Sequence, residues 1–355
     1  LKYHVSLTKF NDIAQQQTGS LEAQAQKCSR NDLWMLGERL NATFYEPESD
    51  SVSFLDKFQG KITGVAHYWE YARRITSGLG QDDVIFGEGE QLGIPLAAVA
   101  GSNKNRPKIL VHFHNINRPR GKLALSLYRV AEKIDLFIAH SRAQLDFLRD
   151  YLHLPESKLG YLWYPTDCKF FTPGEPSPNK TRPLIVSVGI ERRDYRVLAT
   201  ATENLDVDVK IAGFSQFTTR LAQNFPETLP ANMSNRSYAL PELLQLYRDA
   251  DVVVVSVQPS NWSAGATALV EAMACRKPIV VTRTEGLKEY VADSDAILSV
   301  EPEDAQGLQQ AIAHLLNNPQ EAKARAEKAY QLALQRHQVE QYIETIATWM
   351  ENINQ

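Results

Sequence analysis

Asp251-Val-Val-Val-Val-Ser-Val257, followed by Ser263-Ala-Gly-Ala-Thr-Ala-Leu-Val-Glu271-Ala-Met-Ala-Cys-Arg-Lys-Pro278-Ile-Val-Val-Thr282, is the stretch from which the fold of this 355-residue chain can be read. A continuous β-branched run bounded by polar residues is the pattern of a strand buried on both faces of a parallel sheet. The chain then enters a helix, with Ser263 as the expected N-cap and small residues at Ala264, Gly265 and Ala266. Small side chains let a ligand approach the amides that a first helical turn leaves unpaired, and an anion such as a diphosphate suits that position. Glu271 lies eight residues after the cap, on a helix whose Leu269, Val270 and Met273 should face the sheet. A carboxylate there can accept hydrogen bonds from a ribose diol. An ordinary strand-to-helix turn with a solvated Glu is the competing reading.

Outward from this stretch, strand and helix alternate. Strands are expected at Leu184 to Val188, Val207 to Ala212, Val252 to Val257, Ile279 to Thr282 and Ala296 to Val300, with helices at Leu240 to Asp249 and Ala305 to Asn317. Upstream, Pro107 to Phe113 and Asp135 to Ala139 read as strands, Gly121 to Lys133 as a helix, and Ser141 as the cap of another. The first hundred residues offer strands at Lys2 to Leu7, Ala42 to Tyr45 and Asp83 to Phe86, and a Gln-rich segment from Asp12 to Lys27. Such alternation implies parallel sheets wrapped by helices. Pro165, Pro173, Pro176, Pro178 and Pro183 mark an interdomain linker. The domain reading is 1–172, a linker at 173–183, a second domain at 184–336 and a terminal helix at 337–355. Tyr342, Ile343, Ile346 and Trp349 form one apolar stripe on that tail.

Composition narrows the classes. The chain is 43% hydrophobic and 23% charged with a formal net charge of −4, and no apolar run approaches the roughly 20 residues of a membrane span. An acidic balance gives no general attraction to nucleic acid. Cys28, Cys168 and Cys275 are scattered without metal-type spacing, which fits a reducing, cytoplasmic setting. Asn41, Asn179, Asn232 and Asn261 open Asn-x-Ser/Thr triplets, to which no covalent meaning is attached without a secretory signal.

Taken together, the two Rossmann-like halves, the proline-rich linker and the Ser263 to Thr282 segment resemble a GT-B glycosyltransferase of the family 4 (group 1) type, the match covering most of the chain from about Asp83. The resemblance implies two doubly wound α/β domains facing across a cleft, a terminal helix at 337–355 that crosses back to the first domain, and retaining, metal-independent transfer of a sugar from a nucleotide-diphosphate donor, a UDP-sugar, to a hydroxyl acceptor. Glu271-Ala-Met-Ala-Cys-Arg276-Lys-Pro278-Ile-Val-Val matches the later part of the family's donor motif. Ser263 stands where relatives have a Glu that touches the donor sugar, and Arg276 where Gly is usual. Ser187-Val-Gly189-Ile-Glu191-Arg192-Arg193-Asp-Tyr195 is similar to the strand end whose basic pair clamps the diphosphate. Arg192 and Arg193 are the candidates, Arg193 the better match, and fixed cations there would stabilise charge on the departing phosphate.

Further positions carried over from the resemblance are Gly213-Phe214, where relatives hold the base, with Tyr238 nearby, and His114 at the end of Val111-His112-Phe-His114. Ordinary packing is the better reading of Phe214 and Tyr238. His112 and His114 point to one side of their strand, and His114, nearer the carboxyl end, is the catalytic candidate. No metal is expected, since neither Cys nor carboxylate stands at ligand spacing from the pair. His140-Ser141 reads as structural or near the acceptor. No cofactor beyond the nucleotide sugar is called for. Arg118, Arg120 and Lys122 could touch an acidic lipid surface or phosphorylated acceptor, although a solvated loop is the stronger reading of three cations. Two alternatives stay open: a nucleotide-sugar-binding protein that has lost catalysis, motivated by Ser263, and, ranked lower, an NAD-dependent oxidoreductase, which lacks a Gly-x-Gly-x-x-Gly after a strand.

Overall fold

A computed structural model describes residues 1–8, 28–48, 52–101, 103–178, 180–213, 224–292 and 295–353. The Gln-rich segment and Phe214 lie outside them. The described residues divide into two compact units: one built from residues 1–8, Arg30–Leu162 and residues 340–353, the other from residues 28–29 and Trp163–Val339.

The first unit holds strands β1 (Lys2–Ser6), β2 (Thr43–Tyr45), β3 (Asp83–Glu88), β4 (Lys108–Phe113), β5 (Leu136–Ala139) and β6 (Leu159–Tyr161). Its helices are α1 (Asp32–Leu40), α2 (Phe54–Thr63), α3 (His67–Thr76), α4 (Glu90–Ala100), α5 (Pro119–Leu127) and α6 (Arg142–Leu152). The strands form one parallel sheet in the order β2-β1-β3-β4-β5-β6. Val84, Ile85 and Phe86 of β3 and Ile109, Leu110 and Val111 of β4 are fully buried, as expected where helices cover both faces. The helix expected over Gly121 to Lys133 begins earlier, on Pro119, because proline suits the first helical turn. It ends at Leu127, and Arg129 then adopts a left-handed conformation that leads into a 3₁₀ turn.

The second unit holds β7 (Leu184–Val188), α7 (Tyr195–Thr202), β8 (Asp208–Ala212), β9 (Met233–Asn235), α8 (Leu240–Asp249), β10 (Val252–Val255), α9 (Ala266–Ala274), β11 (Ile279–Thr282), α10 (Lys288–Val291), β12 (Leu298–Val300), α11 (Ala305–Asn317) and α12 (Pro319–Arg336). Its sheet, also all parallel, runs β12-β11-β10-β7-β8-β9. The strand order reverses direction between β7 and β10, the place where open α/β sheets present a crevice beyond their carboxyl ends. All four valines of β10 are buried.

The proline-rich stretch lies within the second unit, which begins at Trp163. Phe170 and Phe171 are buried in its core, Phe171 edge-on to Tyr247. Ser177 is held by Asp249 and Lys180 by Asp251. The tail from Pro319 consists of two helices. α12 stops at His337, whose carbonyl accepts from the Thr166 amide at 2.7 Å while Gln338 bridges to Thr166. The last helix, α13 (Val339–Glu351), packs in the first unit, where Tyr342, Ile346 and Met350 are buried and Trp349 lies against Gly160. β6 (Leu-Gly-Tyr) and β9 (Met-Ser-Asn) escape sequence reading because neither contains a β-branched residue or an apolar run.

Candidate functional site

In the second unit the candidate donor residues gather at the carboxyl ends of β7, β8 and β10. Gly189 follows β7 with φ of 109°, a conformation that L side chains avoid. The guanidinium of Arg193 packs over it so closely that a Cβ at Gly189 would meet Arg193 Nη2 at 2.2 Å. Arg193 itself is buried, with Nε donating to the Val188 carbonyl at 2.8 Å and Nη1 to the Glu191 carbonyl at 2.9 Å. These bonds fix the guanidinium at the strand end. Arg192 is exposed, adopts a left-handed φ of 55°, and donates to the Pro259 carbonyl at 2.9 Å. The structure therefore separates the pair: Arg193 is a rigid internal cation and Arg192 a surface clasp on the loop after β10.

Gly213, at the end of β8, donates its amide to Asn235 Oδ1, and its α-carbon faces the Gly189 carbonyl and the Tyr195 ring. Tyr195 in turn donates its hydroxyl to the Gly189 carbonyl, and burial pushes its phenol up to about 12. Neither Asn235 nor Tyr195 was a candidate, yet they hold the two glycine turns side by side. Tyr238 is half-buried under the Arg236 guanidinium, 3.6 Å from the ring centre, in keeping with a packing role.

The turn before α9 differs from the expected cap. The N-cap is Gly265, with φ of 95°, and no side chain caps the helix. Ser263 instead supplies its carbonyl to the Ala266 amide at 3.0 Å, and the Ala264 amide donates to Trp262 at 2.7 Å. Ala264 and Ala266 are thus already bonded, whereas the amides of Gly265, Thr267 and Ala268 have no backbone acceptor among the described residues. Glycine is needed here because a Cβ would strike Val255 at 2.8 Å.

Glu271 is half-buried and accepts a hydrogen bond from Tyr247, whose hydroxyl is 2.7 Å from Oε2. Burial pushes the Glu271 carboxyl up to about 7, against the pull of the Tyr247 hydrogen bond and the Arg193 charge. Burial, and then Glu271 itself, raises the Tyr247 phenol well above its usual range. Arg193 acts electrostatically on both residues, so the strand-end cation and the helix carboxylate belong to one site. Arg276 takes the left-handed position just past α9, with φ of 55°, which is where a helix commonly ends on glycine. Its side chain stacks on Tyr330 and pairs with Glu327 at 3.1 Å. The replacement of Gly by Arg is therefore a matter of helix ending and α12 packing.

In the first unit, His112 and His114 do share one side of β4, and β3 brings Glu88 to both. His112 Nδ1 lies 3.1 Å and His114 Nε2 2.9 Å from Glu88 Oε1. The spacing argument against a carboxylate partner fails here because Glu88 comes from the neighbouring strand, paired in register with His112. Burial alone would raise the Glu88 carboxyl, but the two imidazoles hold it well below the usual carboxylate range. His112 is buried, its pKa lowered by desolvation against the pull of Glu88, and its Nε2 is buried with no hydrogen-bond partner among the described residues. His140 packs edge-on against His112 and bonds to the Leu162 carbonyl at 2.7 Å, a structural role. Burial and the neighbouring Glu88 push Asp32, at the start of α1, up to about 6. His114, more exposed than His112, has its amide held by Glu90 Oε2 at 3.0 Å. Glu88, His112 and His114 offer ligand atoms within 4.8 Å of one another, a two-imidazole, one-carboxylate set that could hold a divalent cation. The sequence signal for Glu88 was its place in Gly87-Glu88-Gly89, at a strand's carboxyl end.

Comparison with known proteins bears on the fold and on the second unit. Residues 179–332 match the family described as glycosyl transferases group 1. An MMP alpha-(1->4)-mannosyltransferase of Mycolicibacterium hassiacum is 30% identical over 207 residues, 55% of this chain and 48% of the relative. The chain spans less than half the length of the curated relatives it matches. Among solved structures, an Anabaena protein in complex with UDP and glucose aligns with a TM-score of 0.70 at 16% identity, covering 99% of this chain and 100% of that one. An alpha,alpha-trehalose 6-phosphate synthase from Burkholderia multivorans aligns with a TM-score of 0.72 at 14% identity, covering 99% and 98%. The chain thus shares the GT-B fold of these structures, and its residues 179–332, less than half of the chain, resemble the group 1 glycosyl transferases.

Proposed function

We propose that this protein transfers a sugar from a nucleotide-diphosphate donor, a UDP-sugar, to a hydroxyl acceptor with retention at the anomeric carbon. The observation that carries the reading is the joint placement, at the carboxyl ends of β7 and β10, of an internally braced Arg193, the glycine turns at 189 and 265, and the Glu271 carboxylate, within the segment that matches group 1 glycosyl transferases. In the reaction the bond from the anomeric carbon to the diphosphate oxygen breaks, and a bond to the acceptor oxygen forms. Negative charge grows on the departing diphosphate. A cation fixed in advance stabilises that charge without reorganising, so Arg193, with the first-turn amides of α9, serves the leaving group and needs no divalent cation there. Glu271, once ionised, accepts from the ribose hydroxyls.

On the acceptor side, His114 is the group we place near the reacting sugar, with Glu88 fixing its ring. Donation from His114 Nε2–H to Glu88 leaves Nδ1 as the atom that can accept a proton or hydrogen bond. The complex of a fold neighbour with UDP and glucose supports the donor class. Among the described residues no helix is long and apolar enough to cross a membrane, and we place the enzyme in the cytoplasm.

A second reading, a nucleotide-sugar-binding protein without catalysis, draws on Ser263, which stands where relatives have Glu. One experiment separates the two. Thermal shift against UDP, GDP and NAD identifies the nucleotide, and incubation with its sugar conjugates then reads release of the free nucleotide diphosphate. Stabilisation by UDP with release is expected. Stabilisation without release in the presence of acceptor hydroxyls selects the second reading, and stabilisation by NAD alone overturns both.

A further inference from the structure

Helix α2 is built inside out. Its buried positions are Asp56, Gly60 and Thr63, while Phe54, Leu55 and Phe58 are exposed, Phe54 to 87%. The inward face is mostly polar or small, with Ile62 its one large apolar group packed against the core. Asp56 closes a capping box with Ser53 and pairs with Arg73 at 2.8 Å. Gly60 lies so close to Ala66 that a Cβ would meet its backbone at 2.6 Å, and Thr63 accepts from Trp69. The outward stripe at positions i, i+3, i+4 and i+7 reads Phe54, Lys57, Phe58, Lys61. Two rings thus alternate with two ammonium groups along a single helix face.

Helix α5, which packs against α2, repeats the pattern. Leu123 and Leu127 are 53% and 54% exposed, and Arg120 and Lys122 are exposed beside them. Arg118 is committed to Glu90 at 3.1 Å and is left out of this set. No acidic residue occupies an exposed position on either helix: the one carboxylate of α2 is Asp56, buried, and α5 has none. This in a chain whose net charge is −4.

From this we infer that α2 and α5 form a docking face for an anionic lipid bilayer, with Phe54, Leu55, Phe58, Leu123 and Leu127 entering the headgroup boundary and Lys57, Lys61, Arg120 and Lys122 meeting its negative charge. Charge complementarity selects the occupant. Large apolar side chains interspersed with cations, on helices that carry no exposed carboxylate of their own, suit a helix that lies in a membrane interface, and four basic residues reach the range at which such clusters recognise anionic lipid. The cation count alone, read along the Arg118 to Lys122 loop, fell short of that range; α2, which contributes both rings and half the charge, completes it. The inference does not depend on the donor reading.

The test is flotation of the full chain with vesicles of phosphatidylcholine alone and of phosphatidylcholine with one quarter phosphatidylglycerol. Wild type is expected to float with the anionic vesicles at low salt, to release in 0.5 M NaCl, and to bind neutral vesicles at least tenfold more weakly. Neutralising two cations in Lys57→Gln/Lys61→Gln should weaken binding about 25-fold, since each juxtamembrane charge contributes about fivefold. Phe54→Ser/Phe58→Ser should weaken it at least tenfold. Both pairs are exposed, so unchanged thermal melting is the control that the fold persists. Wild-type affinity in both variants, or absence of flotation, would overturn the inference. So would a dimer in sedimentation velocity that Phe54→Ser/Phe58→Ser converts to monomer, which would make a second copy the occupant.

Discussion

Replacing Glu271 by Gln should strengthen the fold and weaken donor binding, both in a pH-dependent way. The Glu271 carboxyl rises from 4.5 to about 7 in the native state, chiefly through burial. Below pH 4.5 both native and unfolded chains hold the proton. Between 4.5 and about 7 the unfolded chain releases it while the native chain keeps it, so this group's contribution to stability is lost as pH rises. Above 7 the loss is complete. A shift of that size corresponds to about 3 kcal/mol, an upper bound for a group still partly solvated. Gln does not titrate, and its carbonyl can still accept from Tyr247. Glu271→Gln should therefore match wild type in urea near pH 4 and exceed it by about 2 to 3 kcal/mol at pH 8.5. UDP-sugar affinity should move the other way. Wild-type binding should climb through a midpoint near pH 7 as the carboxylate forms, and the variant should bind about 10-fold more weakly at pH 8.5, the loss of one charge-assisted hydrogen bond. A stability difference that stays flat across this range would refute the assigned burial effect. Equal affinities at pH 8.5 would remove Glu271 from the donor site.

Other expectations follow from the same geometry. His114→Ala should lower turnover with UDP affinity preserved, and Glu88→Gln, which keeps one acceptor but not the charge, should lower kcat at unchanged donor KM; steady-state kinetics read both. Gly189→Ala would force a Cβ into the Arg193 guanidinium from a left-handed backbone, so calorimetry should show UDP binding weakened about as much as in Arg193→Ala, each by 10-fold or more. At the end of α9, Arg276→Gly should be more stable than Arg276→Ala by about 1 kcal/mol in urea, although both remove the same contacts, because only glycine is unstrained at φ of 55°. Transfer should survive chelator; loss of activity restored by Zn²⁺ or Mn²⁺ would place a working metal on Glu88, His112 and His114.

Legibility in the sequence followed burial. β7, β11, α8 and α11 have the expected bounds because their apolar patterns are uninterrupted and their ends are marked by proline, aspartate or charged residues. What escaped was set by pairing between distant segments. Glu88 reaches His112 and His114 across a strand pair, and no spacing along the chain reports that. Ser263 looked like a cap by residue type, yet the cap falls two residues later at Gly265, where Val255 leaves no room for a side chain. The basic pair was legible as charge but not as two roles: only the fold shows that Arg193 is internal and Arg192 external. Helix α2 went unread for a related reason. Its sequence is amphipathic, and nothing local tells which face the protein keeps.

The return of the last helix has a consequence for the order in which this molecule is made. The sheet and core of the second unit come from one run, Trp163–Val339, to which only residues 28–29 are added among the described residues, whereas the first unit includes residues 340–353. A chain emerging from the ribosome can therefore close its second sheet and its second core before the first unit has all its parts. Until α13 appears, the side of the first sheet occupied by Trp349 against Gly160, and by Tyr342 beside His140, stays open. The half that is synthesised first is the half that is finished last.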